Sequence, residues 1–309
     1  MFEQVAEERQ WTRPASCGEG EIFSRLWAGE EKRAILQIAH GMSEHSGRYV
    51  DFARFMASRG YVVGMNDHAG HGRSARTLGY FAERDGPDHV IGDMKALMDE
   101  LTARYAGLPT FLLGHSMGSF LARKYITRCG DELAGCLISG TMGKNRLLTL
   151  GKVISAVQKK LIGPKSRGRL LTLIAFGSHN KRIKHPVNVY AWLSTADEAC
   201  VDFKNDALCG FHFTAGGFSD LFALVGEINA PDWAAKVPIS LPIYIFSGAE
   251  DPVGAYGRGP TEVYEALAAT GHANLKLKLY PNGRHEMLAE LNRLEVYEDV
   301  LAWLDARVR

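Results

Sequence analysis

Five short, almost continuous apolar runs divide the chain, and the stretches between them have the length and spacing of helices. The runs are 34–39 (AILQIA), 61–65 (YVVGM), 110–113 (TFLL), 135–139 (GCLIS) and 243–247 (IYIFS), and a sixth strand-like segment, LKLKLY, spans 275–280. Strands covered on both faces by crossover helices read in this way. Helix-like stretches fill 46–59, 89–106, 119–129 and 261–269. The final one, 291–308, repeats Leu291, Leu294, Val300, Leu301 and Leu304 at three-to-four spacing. This alternation predicts an α/β architecture: a mostly parallel central sheet flanked by helices.

Size and composition close off other classes. With 309 residues, 46% hydrophobic and 23% charged, the chain has the make-up of a globular protein rather than a disordered or coiled-coil one. A chain this long buries roughly 75% of its unfolded surface and needs no disulfide or metal staple. A net charge of +1 argues against a nucleic-acid binder. No apolar run approaches the ~18 residues of a membrane-spanning helix. The first ten residues carry four charges and no apolar core, against a signal peptide. Five cysteines with no CxxC pair fit a reducing cytoplasm and argue against zinc.

The alternation breaks between residues 142 and 237. Residues 143–185 hold eleven lysines and arginines and no acidic residue. Leu147, Leu148, Leu150, Val153, Ile154, Val157, Leu161 and Ile162 recur there at helical spacing, and Pro231, Pro238 and Pro242 mark the return. We read 142–237 as a helical insertion between two strands, dividing the chain into a core of 1–141 and 238–309 and this second unit. Two readings of its basic, leucine-rich part stand open. In one, an apolar face lies on anionic lipid and makes a transient membrane contact. In the other, the leucines pack on the core and the lysines form a solvated rim.

Gly114-His115-Ser116-Met117-Gly118 follows an apolar run and precedes a helical one. It matches G-x-S-x-G, a strand-to-helix turn that projects a serine oxygen above the sheet edge. A serine hydroxyl is a weak nucleophile and needs a base and an orienting acid. In this architecture they follow in the order Ser, Asp or Glu, His. Asp251 and its neighbour Glu250 both sit after the run 243–247, and His285 follows the segment 275–280. Two backbone N–H groups should hold the oxyanion. One is that of Met117, and the other is that of Met42, in the loop His40-Gly41-Met42, where Gly41 lets the backbone approach a substrate.

Three segments together carry a family resemblance. His40-Gly41-Met42-Ser43-Glu44-His45-Ser46-Gly47-Arg48-Tyr49, then Asp67-His68-Ala69-Gly70-His71-Gly72-Arg73-Ser74, then Gly-His-Ser-Met-Gly at 114–118 resemble the monoacylglycerol lipase and lysophospholipase group of α/β-hydrolases, the serine aminopeptidase (S33)-like hydrolases. The resemblance covers nearly the whole chain and is weakest in the insertion. It implies the α/β-hydrolase fold, a cofactor-free serine hydrolase, and a cap inserted where 142–237 falls. Asp-Pro-Val is the usual form of the acid turn in this family, which favours Asp251 over Glu250. The family also implies an alcohol-side pocket near the oxyanion loop, where Glu44 and Arg48 order the loop or contact the glycerol end, beside His115. Asp67, His71, Gly72 and Ser74 look like a buried turn bracing that loop. Met42 departs from mammalian members, which carry a smaller residue there; the backbone donor survives and the acyl pocket narrows.

The resemblance implies cleavage of lipid carboxylic esters, with a monoacylglycerol or lysophospholipid as the small-molecule partner. Phe211, Phe213 and Phe218 are candidates to line an acyl tunnel, with Gly216-Gly217 as a hinge, or else plain core. Rival readings on the same scaffold are a short-chain carboxylesterase, a thioesterase, an acyltransferase and a prolyl-type aminopeptidase. The last would need acids such as Asp197, Glu198, Asp202 or Asp206 to hold an ammonium. A reading from another class is a ligand-binding protein without catalysis.

Overall fold

The computed structural model describes residues 5–144 and 148–308. Eight strands form one sheet: β1 (Glu7–Pro14), β2 (Glu21–Ala28), β3 (Ala34–Ala39), β4 (Tyr61–Asn66), β5 (Thr110–His115), β6 (Gly135–Ser139), β7 (Ile243–Gly248) and β8 (Leu275–Tyr280). They lie in the order β1-β2-β4-β3-β5-β6-β7-β8. From β4 to β8 all neighbours pair parallel, while β1 and β2 join antiparallel at one edge. The expected α/β-hydrolase architecture is what the chain adopts.

Every residue of β3 to β7 is buried, which is why these strands read as unbroken apolar runs. That criterion passes over β1 and β2. β1 is an edge strand of half-buried and exposed residues, EERQWTRP, and β2 carries Ser24 and Arg25 at its centre.

Successive strand residues face opposite layers. Ile35, Leu112, Ile138 and Ile245 pack with α2 (Gly86–Arg104), α3 (Met117–Cys129), α7 (Ala215–Ile228) and α8 (Arg258–Ala268). Leu36, Phe111, Leu113, Leu137 and Phe246 pack on the other side with α1 (Val50–Ala57) and α9 (Arg293–Asp305). Each such side chain contributes about 1.5–3 kcal/mol when fully buried.

Residues between β6 and β7 leave the sheet and build α4 (Leu148–Leu161), α5 (Arg169–Phe176), α6 (Asp197–Asn205) and α7. α7 packs against α2 and α3, and its Leu221, Leu224, Val225 and Ile228 join the main core. α4 lies on α7, with buried Gly151 against the Phe222 ring. Its outward stripe is apolar: Leu150, Val153 and Val157 are exposed, and Leu161 and Ile162 are 76% and 73% exposed. These residues do not pack on the core, and of the set only Leu148 and Ile154 touch it. Leu147 lies outside the described residues.

One buried cation ties both roots of the insertion to α3. The Arg123 guanidinium donates to Met142 O at 2.9 Å and to Ile228 O, and lies 4.3 Å from the Trp233 ring. Trp233 Nε1 in turn donates to Arg123 O at 3.1 Å.

Candidate active site

β5 runs straight into α3, and Ser116 makes the turn. Its φ and ψ are 53° and −120°, a region that L-residues occupy only when the surroundings enforce it. Ser116 N–H donates to Ser139 O at 2.9 Å, which anchors the turn to β6. The flanking glycines are explained by close approach rather than by flexibility. A Cβ on Gly114 would strike Gly118 O, and one on Gly118 would strike Ala39 O.

At the ends of β7 and β8 the acid and the imidazole meet. His285 Nδ1 lies 3.0 Å from Asp251 Oδ1, and both residues are buried. Ser247 Oγ donates to Asp251 Oδ2 at 2.9 Å, and Val253 N–H donates to Oδ1 at 2.8 Å. Glu250 is exposed and contributes only its backbone N–H, to Gly283 O. Burial alone would raise the Asp251 carboxyl, but His285, Ser247 and the Val253 amide bring it below its ordinary value. Burial likewise opposes the His285 imidazolium, yet Asp251 raises its pKa above the usual 6.5. With Nδ1 committed to Asp251, Nε2 is the free ring nitrogen.

Ser116 and His285 share the surface of residues 139–140. A Cβ on Gly140 would lie 3.1 Å from the His285 ring, and the His115 and His285 rings are 4.8 Å apart. Among the described contacts no hydrogen bond joins Ser116 Oγ to His285.

The loop after β3 supplies the opposite wall. A Cβ on Gly41 would stand 3.1 Å from Ser116 Cβ, so this backbone reaches the serine. Gly41 N–H donates to Glu44 Oε1 at 2.5 Å, and Tyr49 OH donates to the same oxygen at 2.8 Å. Arg48 spans from Glu44 (2.6 Å) to Glu286, which it binds through two nitrogens at 2.5 and 2.7 Å. Burial opposes ionisation of Glu44, but Arg48 and the nearby imidazoles hold its carboxyl well below the ordinary range. Met42 and Met117 stand at this junction, next in sequence to Gly41 and Ser116.

The 67–74 turn braces this loop as the sequence suggests. Asp67 Oδ1 accepts from Ser46 N–H at 2.9 Å and Ser46 Oγ at 2.5 Å, while Oδ2 accepts from Arg73 N–H at 2.8 Å. His68 N–H donates to His40 Nε2 at 2.9 Å. Burial keeps His40, His68 and His71 below the usual histidine value, His71 down to about 3. His115, also buried, is held at about 3.

Of the three candidate tunnel residues, Phe213 and Phe218 are fully buried and join the main core, and Phe211 is partly exposed. Phe211 and Phe213 stand 5.4 and 5.2 Å from the His71 ring, and Phe218 follows 5.8 Å from Phe213. Asp197, Glu198 and Asp202 point to solvent, and Asp206 pairs with His45 at 2.9 Å. The four acids do not converge on an ammonium site.

The insertion also contributes residues that motif reading passes over. Trp192 lies 5.2 Å from the His285 ring. Leu193 O accepts from Glu286 N–H at 2.7 Å, and Arg284 donates to Ala191 O and Ser194 O at 2.6 and 2.8 Å. Gly210 N–H donates to Ser43 O at 2.9 Å, and Ser43 Oγ donates to Phe211 O at 2.8 Å. Glu286 adjoins His285 in sequence, a signal that could have been read; Trp192 has none outside the fold.

Residues 30–292 match the family described as serine aminopeptidase, S33. The human monoglyceride lipase is 30% identical over 291 residues, covering 93% of this chain and 87% of the human protein. A monoacylglycerol lipase of Mycolicibacterium smegmatis is 27% identical over 94% of this chain and 95% of its own length. The crystal structure of a thermostable carboxyl esterase from Bacillus coagulans, in complex with glycerol, superposes with a TM-score of 0.92 at 28% identity, covering 99% and 100% of the two chains. These relatives place the chain among the ester hydrolases of the α/β fold, and it belongs to the serine aminopeptidase S33 family.

Proposed function

We propose that the protein is a serine hydrolase cleaving carboxylic esters of lipids, monoacylglycerols or lysophospholipids, through an acyl-enzyme on Ser116. The observation that carries this is the buried Asp251–His285 pair at 3.0 Å, set against a serine on a strained strand-to-helix turn. His285 Nε2 takes the Ser116 proton as Oγ attacks the ester carbonyl, a contact that closes in the reacting complex as catalytic hydrogen bonds commonly do. The amides of Met42 and Met117 receive the oxyanion. His285 then protonates the departing alcohol, and water repeats the sequence on the acyl-enzyme. Asp251 holds the imidazole in the working tautomer throughout. Glu44 and Arg48 order the loop that presents Met42.

Residues 142–237 act as the cap over a core of 1–141 and 238–309. Its exposed apolar stripe on α4, with basic residues around it, favours transient contact with an anionic lipid surface. Among the described residues no helix is long and apolar enough to cross a membrane, and all five cysteines are free thiols. We assign the protein to the cytoplasm with a peripheral membrane encounter.

The test is purified Ser116→Ala. Hydrolysis of a medium-chain monoacylglycerol should drop by several orders of magnitude, and labelling by a fluorophosphonate probe should vanish while the circular dichroism spectrum is unchanged. Undiminished turnover would remove Ser116 as the nucleophile. Vesicles carrying anionic lipid should speed turnover of long-chain esters; a preference for acetyl esters with no vesicle effect would exclude the lipid reading.

A further inference from the structure

The loop that carries His285 is laced to residues 191–195 of the insertion. Arg284 donates to Ala191 O and Ser194 O at 2.6 and 2.8 Å, and Glu286 N–H donates to Leu193 O at 2.7 Å. Ser194 Oγ donates to Ala289 O at 3.0 Å. The Glu290 carboxylate accepts from Arg284 N–H at 2.7 Å and from Thr195 N–H at 3.0 Å. This lacing sets the Trp192 ring 5.2 Å from the His285 ring, tilted by 43°. Behind Trp192 stand Phe176, stacked at 5.8 Å, and His179, edge-on at 4.7 Å. Trp192 and His285 are both buried, so little water competes for the contact between them.

Resting on the ester-hydrolase reading above, we propose that Trp192 is a positioning residue of the reaction, whose ring steadies the protonated His285 that forms when the serine gives up its proton. A cation over an indole face, within about 6 Å of its centroid, is attracted to the ring, and most strongly where water is excluded. The neutral imidazole gains less from the same ring. The interaction therefore grows along the reaction coordinate, and an interaction of that kind speeds the chemical step. Other charges around His285 are steady while it titrates. Burial opposes the imidazolium, and Asp251, Glu286 and Glu44 favour it. His115 and His179 are held by burial at about 3 and about 4 and stay neutral there. Arg48 remains paired with Glu44 and Glu286. A shift in the titration of His285 on changing Trp192 thus reports on the ring itself.

The experiment measures the pH profile of kcat/KM on 1-decanoylglycerol for wild type, Trp192→Phe and Trp192→Leu. Leucine keeps the apolar cover and removes the ring, whereas phenylalanine keeps a ring. Trp192→Leu should move the acid limb down by about one pH unit and lower the plateau kcat by about tenfold, one free energy read in two ways. Trp192→Phe should fall between wild type and Trp192→Leu on both readings. A role confined to filling space would slow both variants without moving the limb, and that result overturns the proposal. So does a limb that moves up. Fluorinated tryptophans weaken the ring face while keeping its shape. Of the five tryptophans, Trp192 is the one that stands against His285 among the described contacts. Each added fluorine should step the limb down, and a limb unmoved by fluorination overturns the proposal even if Trp192→Leu does not fold. Fluorophosphonate labelling separates the two levels of failure. A labelled Ser116 with an unmoved limb sinks only the role of Trp192, whereas an unlabelled Ser116 sinks the hydrolase reading and this proposal with it.

Discussion

Residues 40–74 bury their polar groups, whereas residues 148–176 expose many of their apolar ones. In the first region Glu44, Asp67, His40, His68 and His71 are buried, and the carboxylates each accept several hydrogen bonds. In the second, Leu150, Val153, Val157, Leu161, Leu170 and Leu173 face outward. Desolvated charge such as that of Glu44 and Asp67 is tolerable only when it is paired, and that pairing fixes the backbone of the loop beside Ser116. Apolar surface on α4 and α5 needs no fixed partner in the free protein. Rigidity is thus concentrated where the transition state would be held, and adaptable surface where a bulky substrate or a lipid surface would arrive.

The sharpest way to break this contrast is Asp251→Asn. It preserves shape while reversing the tautomer offered by His285, and kcat should fall by about 10⁴ with the fold intact. Steady-state kinetics beside a thermal melt would check it, and a loss under tenfold would show that the buried pair is structural only.

Acid should separate the regions next. His40, His68, His71 and His115 stay neutral when folded, but each takes a proton near 6.5 when unfolded. Unfolding therefore gains protons as pH falls below about 6.5, and stability should drop progressively from there toward the folded values, near 3 for His71 and His115. His285 works with the opposite sign. Its folded pKa is raised, so its contribution to stability is present below 6.5 and lost as pH rises through the folded value. The same raised value puts the acid limb of kcat/KM above pH 6.5, because only the neutral imidazole accepts the serine proton. Urea midpoints across pH and a pH–rate profile test both; stability that is flat from pH 7 to 5 would contradict the burial argument.

The smallest effect belongs to the insertion. Replacing Leu161 and Ile162 together by glutamine should change stability by no more than about 0.5 kcal/mol, while lowering co-sedimentation with anionic vesicles. A marked loss of stability would mean that these side chains pack on the protein after all.

The sheet was legible because β3 to β7 are covered on both faces, so their polar residues are few: Gln37 within β3, and Asn66, Thr110, His115, Ser139 and Ser247 at or near strand ends. β1 and β2 were not: β1 is a half-solvated edge strand, and β2, paired with β1 and β4, carries Ser24 and Arg25 at its centre. Ser116, Asp251 and His285 could be named from local motifs at strand ends, and the structure brings Asp251 and His285 into contact. Trp192 and Arg123 were beyond reach. Their contacts are made across 93 and 105 residues of chain, to His285 and Ile228, and no local pattern marks either one.

Arg123 of α3 holds Met142 and Ile228, near the two ends of residues 142–237. Beyond that grip α5 still reaches the site, because its Phe176 stacks 5.8 Å from Trp192, whose ring lies 5.2 Å from that of His285. Exchanging α5 would therefore disturb the wall beside His285, whereas α4, which meets the main core through Leu148 and Ile154, could be exchanged with less consequence there.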